Sequence, residues 1–290
     1  MSIAQDLANA LHRFNAKERN HLVRFALLGE TNPGPLRQSV QWVHENFFEA
    51  LRTALNDAPS NGETESRVVL SDSARCVYAA MDYHLDWLHA ALATSHVAAS
   101  TGEASGLGRR LRMAERLEEH GIEKVQHDVM GTLEDIDLAL VIEDGAMTYL
   151  VLIEAKGDSS FSRSQLASKL SRLKLILDSK HAPQPELLRC AFVLMAPEDK
   201  LKLGKSVRYA DLAKLGKPVS TQTLDALSDP PARLGEVIIR MPMSNYPDTL
   251  DLVKRCESGD EPGAFVGLTH WTIEPRRRAE STDRKDASTH

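Results

Sequence analysis

The segment LVLIEAK, residues 150–156, constrains the fold of this chain more than any other. It is apolar at every position up to an acid, so a strand formed there would be buried on both faces and belongs inside a sheet. A carboxylate at the end of such a strand needs partners, because burying it alone is costly. A second apolar run, residues 136–142, precedes it, and Glu143, Asp144 and Gly145 make a turn-like link between the two. Strands joined this closely pair antiparallel, so the start of the first lies beside the end of the second. Asp137 thereby meets Glu154. Side chains alternate along a strand, which puts Asp135 on the face of Asp137 and Lys156 on the face of Glu154.

The rest of the chain reads as the remainder of an α/β fold. Leu7, Leu11 and Phe14 recur at helical spacing, as do Leu22, Phe25 and Leu28, and residues 36–55 carry Val40, Val43, Phe47, Phe48, Leu51 and Leu55 as an apolar stripe. On this pattern the first ninety residues are helical. Within them Tyr83 and Trp87 stand at i and i+4 with His84 and His89 alongside, a spacing that fits a packed core better than a site. Residues 93–108 turn to Ala, Ser, Thr and Gly and suggest a boundary near Gly102. Beyond it Leu107, Leu111, Ala114 and Leu117 predict a helix closed by Gly121, and residues 122–129 predict an edge strand. Leu166, Leu170, Leu173 and Leu177 predict a helix over residues 162–178, while residues 190–197 and 236–242 read as strands. Residues 198–216 are expected to add a helix or two. The organisation expected is a helical amino-terminal region over 1–102, an α/β domain over 103–273 and a disordered charged tail over 274–290.

A net charge of −6 gives no global attraction to nucleic acid, so any such binding must come from a local basic face. Cys76, Cys190 and Cys256 lie far apart in no metal-binding spacing and read as reduced structural thiols. No apolar run approaches the roughly 18 residues that span a bilayer, and the amino terminus is amphipathic rather than signal-like, so the expected location is cytoplasmic with no membrane partner.

Two carboxylates at one strand end are hard oxygen ligands of the kind that suits Mg²⁺ or Mn²⁺. A lysine two residues past one of them can orient a water or neutralise charge on a pentacovalent phosphorus. The order Asp137, sixteen intervening residues, Glu154-Ala155-Lys156 and then a helix bearing Gln165 resembles the PD-(D/E)XK nuclease superfamily. The resemblance runs over residues 107–197, where helix, strand, strand pair, helix and strand follow the family's αβββαβ order. It implies a restriction-endonuclease-like core with a mixed central sheet, Asp137 and Glu154 as ligands of Mg²⁺ or Mn²⁺, Lys156 as the catalytic lysine and Gln165 as an additional catalytic side chain. Ile136 stands where proline is common in the family, and Lys169 stands where the helicase-associated branch has tyrosine.

Ser162 and Gln165 also have the form of a capping box, which would use the glutamine to close the helix start. Gln165, Lys169 and Arg172 follow i, i+4, i+7, and Lys169 and Arg172 are expected to contact phosphates. Glu134 and Asp135 read as solvated strand-start acids, the alternative being spare metal ligands. The activity implied is endonucleolytic or exonucleolytic hydrolysis of DNA, with RNA and homodimer formation left open. The alternative is a catalytically inactive protein of the same fold, or a plain interaction module in which Glu154 and Lys156 form a surface ion pair.

Overall fold

The apolar run that dominates the sequence becomes the middle of a sheet. A computed structural model of the chain describes residues 2–15, 43–58, 68–101, 114–119, 122–127, 134–157, 161, 163–178, 187–197, 206–208, 234, 237–243, 249–257 and 268–277. In chain order its elements are α1 (Ile3–Phe14), α2 (Glu45–Asn56), β1 (Arg75–His84), α3 (Leu85–Thr101), β2 (Ala114–Glu119), β3 (Ile122–His127), β4 (Asp135–Asp144), β5 (Met147–Ala155), α4 (Arg163–Leu177), β6 (Leu188–Ala196), β7 (Ser206–Arg208), β8 (Val237–Pro242), β9 (Thr249–Glu257) and β10 (Leu268–Arg277). Six of the strands form a mixed sheet in the order β1-β4-β5-β6-β8-β7. The β1–β4 and β4–β5 pairs are antiparallel, β5, β6 and β8 run parallel, and β7 is antiparallel to β8.

The link between β4 and β5 turns at Gly145, whose φ of +61° suits glycine. Thr148 through Glu154 are all buried, as a strand with neighbours on both edges requires. Alternation then sorts β5 between two cores. Leu150 and Leu152 join Leu7 and Leu11 of α1, Leu88 and Leu92 of α3, and Leu170 and Leu173 of α4. Val151 and Ile153 join Phe48, Leu51 and Leu55 of α2 on the other side. The even-numbered side chains of β5 therefore face α4, and Glu154 is the next in that series. Among the described residues no helix is long and apolar enough to cross a membrane.

Several expectations need correction. The helical reading of the first ninety residues fails at β1, which pairs with β4 from Arg75↔Glu143 to His84↔Asp135. The open edge of β4 overrides the weak local preferences of an alanine-containing segment, since strand preference depends on the neighbour to be paired. Because β1 lies before residue 102 and β4 after it, one sheet draws on both sides of that position. The helix expected to end at Gly121 is replaced over Ala114–Glu119 by β2, a strand paired with β3. Of the strand expected at 122–129, Ile122–His127 forms β3, which pairs with β2 in a separate two-stranded sheet, and residues 128–129 lie outside the described residues. Ser206–Arg208 is a strand where helix was expected, and residues 274–277 belong to β10 rather than to a disordered tail. Residues 16–42, 102–113 and 278–290, with the readings that fall on them, lie outside the described residues.

Candidate functional site

The start of β4 and the end of β5 meet at the end of the sheet that α4 covers with Ser168, Lys169 and Arg172. Their pairing brings Leu138 opposite Ile153, so one step further Asp137 stands opposite Glu154. The same row continues into β1, where the pairs Met81↔Leu138 and Tyr83↔Ile136 bracket Asp82 opposite Asp137. Asp82 has a φ of +48°, a left-handed conformation that aspartate tolerates better than most residues.

Asp137 ends the ladder. Its Oδ2 accepts from the Ala155 N–H at 2.7 Å, so a side-chain carboxylate takes the place of a backbone acceptor where β4 leaves β5. The next amide along, Lys156 N–H, donates to the Met195 carbonyl at 2.9 Å on the opposite side, which keeps β5 tied to β6. Among the described residues Asp137 Oδ1 carries no hydrogen bond.

Glu154 is only 4% exposed, and lysines compensate its charge from two elements. Lys156 Nζ lies 3.2 Å from Oε1, and Lys169 Nζ of α4 bonds Oε2. Lys169 also donates to the Asp135 carbonyl oxygen at 2.7 Å. An isolated carboxylate at this depth would be strongly disfavoured, and two ammonium donors supply what the apolar strand around it cannot.

Lys169 reaches Glu154 because of its helical position. It is three residues after Leu166 and four before Leu173, both buried, so it sits on the stripe that packs against the sheet. The neighbouring turn adds two contacts to the strand start: Ser168 Oγ donates to Glu134 Oε1 at 2.7 Å, and Arg172 Nε lies 3.3 Å from Glu134 Oε2. On the β1 side His84 Nδ1 contacts Asp135 Oδ1, with the imidazole edge-on to Trp87 at 4.2 Å between ring centroids.

The residues expected to form the site thus meet different fates. Asp137, Glu154 and Lys156 come together at one strand end. Lys169 engages the buried Glu154, Arg172 engages the half-buried Glu134, and Gln165 is exposed near the start of α4. The capping alternative for Gln165 involves Ser162, which lies outside the described residues. Glu134 and Asp135, read as solvated acids, are paired. Tyr83 is core as expected, buried with its hydroxyl donating to the Leu11 carbonyl at 2.8 Å. His84, grouped with Tyr83 as core packing, instead meets Asp135, a partner that becomes visible only once β1 is a strand beside β4. Lys169 as a partner of Glu154 was signalled by a lysine standing on an apolar stripe.

Among the described residues no three His, Cys, Asp or Glu side chains group tightly enough to cage a metal alone. The donor chemistry nonetheless fits a hard divalent cation. Asp137 keeps one carboxylate oxygen, each Glu154 oxygen retains a lone pair beyond the one its lysine takes, and Mg²⁺ is ordinarily held by one or two carboxylates with waters and substrate completing its shell. No known protein family, characterised protein or solved structure matches this chain.

Proposed function

We propose that this chain is a metal-dependent nuclease of the PD-(D/E)XK kind, hydrolysing phosphodiester bonds of DNA at the strand end that carries Asp137, Glu154 and Lys156. The observation that carries the reading is the pairing of β4 with β5, which sets Asp137 across from a buried Glu154 with Lys156 on the same carboxylate. The placement of α4 between β5 and the parallel strand β6 agrees with a restriction-endonuclease-like core.

Asp137 and Glu154 would hold Mg²⁺ or Mn²⁺, which supplies Lewis-acid polarisation of the phosphoryl oxygen and a more acidic water. In hydrolysis a water oxygen bonds to phosphorus, the bond to the leaving sugar oxygen breaks, and the proton released by the water is taken up by solvent or product. The contribution of Lys156 is electrostatic. Its side chain is 25% exposed, enough to reach substrate while staying beside Glu154, so its ammonium can offset charge on the five-coordinate phosphorus. Asp137, held at Oδ2 by the Ala155 amide, presents Oδ1 in a fixed direction.

A second reading has its own support. Lys169 and Arg172 are engaged with acids of the protein, which favours a catalytically inactive relative that binds nucleic acid or protein. Asp137→Asn separates the two. The asparagine carbonyl can still accept from the Ala155 amide, so the fold is kept while the ligand charge is lost. Nicking of supercoiled plasmid and degradation of single-stranded DNA, with Mg²⁺ and with Mn²⁺, should fall by about a hundredfold or more in Asp137→Asn and in Lys156→Met, the scale of several kcal/mol of transition-state stabilisation. Cleavage by Asp137→Asn at the wild-type rate refutes the nuclease reading, and a wild type that cuts neither substrate favours the inactive one.

A further inference from the structure

The site that would receive a divalent cation already contains a cation. Lys169 Nζ bonds Glu154 Oε2 and donates at 2.7 Å to the Asp135 carbonyl oxygen. It is more enclosed than Lys156, with a side chain 13% exposed against 25%. Its position on α4 is one where leucine would pack: Leu166, Leu170 and Leu173 around it are all buried. A lysine on that stripe must be held by specific acceptors, and those acceptors are the Glu154 carboxylate and one strand-start carbonyl.

We infer that Lys169 is the resident counter-cation of Glu154, that a divalent metal entering between Asp137 and Glu154 displaces it, and that Lys169 thereby sets the metal affinity of the site. The inference rests on the nuclease reading above. An ammonium in contact with a ligand carboxylate occupies one of its acceptor positions and repels an incoming dication, so the metal must displace it. Lys169 is the lysine to be displaced rather than Lys156 because of what each keeps after leaving Glu154. Lys169 retains the Asp135 carbonyl as an acceptor, so its ammonium moves aside without being stranded. Lys156 is the residue that must stay near the reacting phosphate. The exchange is a side-chain event, because Ser168 and Arg172 hold α4 to Glu134 independently of Lys169.

The test is the affinity of the full chain for Mn²⁺, measured near neutral pH by calorimetry and by the electron paramagnetic resonance signal of the free ion. Lys169→Met should bind Mn²⁺ about tenfold or more tightly than wild type, and Lys169→Arg, which keeps the charge, should stay within about threefold. Affinity in Lys169→Met equal to or weaker than wild type overturns the inference while leaving the metal site standing. Absence of Mn²⁺ binding by both proteins up to roughly 10 mM, weaker than ordinary hard-cation sites, removes the metal site and the inference with it. A wild-type measurement guards against misfolding of the variant. The ¹⁵N resonance of Lys169 Nζ, assigned by its absence in Lys169→Arg, should move as Mg²⁺ is added. A Lys169 resonance that stays fixed while the Glu154 and Ala155 amides respond overturns displacement.

Discussion

Replacing Glu154 by glutamine removes one negative charge and almost no volume, and its cost follows from what is left behind. Lys156, with a side chain 25% exposed, relaxes into water, whereas Lys169, at 13%, stays enclosed with the Asp135 carbonyl and an amide oxygen in place of a carboxylate. Breaking a buried ion pair from one side costs about 3–5 kcal/mol, against about 0.2–1 kcal/mol for an exposed pair. The amide oxygen still accepts a hydrogen bond, so the low end, about 3 kcal/mol, is expected for Glu154→Gln. The double variant Glu154→Gln/Lys169→Met removes both members and should recover about 2 kcal/mol of that loss, since an apolar side chain suits the stripe between Leu166 and Leu173. The assay is urea unfolding followed by circular dichroism with a metal chelator present, comparing midpoints at unchanged slope. A Glu154→Gln midpoint corresponding to less than about 1 kcal/mol would refute the reasoning, because it would put the pair in the class of surface bridges.

Three further outcomes test the fold that carries the site. Tyr83→Phe removes a buried hydroxyl that binds the Leu11 carbonyl, one of the last-turn acceptors of α1, and should cost about 1–3 kcal/mol in the same urea assay. Burial pushes the Cys76 thiol up from 9.0 to about 12. The folded state therefore keeps its proton while the unfolded state releases it, so the contribution of Cys76 is intact below about pH 9 and declines by roughly 1.4 kcal/mol per pH unit above it. Wild type should lose stability more steeply than Cys76→Ala between those limits, and in a Cys256→Ser background the native thiols should resist a disulfide reagent until unfolding. Gly145→Ala should cost about 1 kcal/mol from the left-handed backbone alone, since a Cβ there meets nothing within 4 Å; a much larger loss would show that the turn has a packing role.

The parts of this structure that were legible in the sequence share one property: their local pattern and their tertiary setting agree. The β5 strand is apolar on both faces and lies between β4 and β6, and the acidic turn with its glycine makes the hairpin that sets Asp137 across from Glu154. The β1 strand was illegible because β1 ends at His84 and α3 begins at Leu85, with no glycine or proline near the junction to mark the change. Tyr83 and Trp87 straddle that junction, so an i, i+4 pair that looks helical has one member in a strand and one in a helix. The β2 strand, AERLEE, consists of good helix formers and takes its form from pairing with β3. Lys169 was half legible: the spacing marked it as basic and close to the site, but whether it faces phosphate or Glu154 depends on a carboxylate that only the folded sheet brings beneath it.

Asp137 and Glu154 are both offered as ligands, yet the fold treats them differently, and the difference separates organisation from regulation. The Asp137 carboxylate is the last acceptor of the β4–β5 ladder, so its orientation is fixed by the same bond that ends the sheet and needs no adjustment to receive a cation. Glu154 is held by two lysines whose grip must be shared or loosened before a metal can use it. Asp137→Asn should therefore leave stability within about 0.5 kcal/mol of wild type, as for a substitution that preserves its hydrogen bond, while abolishing Mn²⁺ binding. Glu154→Gln should lower both together. Equal losses of stability in the two variants would mean that Asp137 is a charged partner in the lysine network rather than a backbone acceptor with an oxygen to spare.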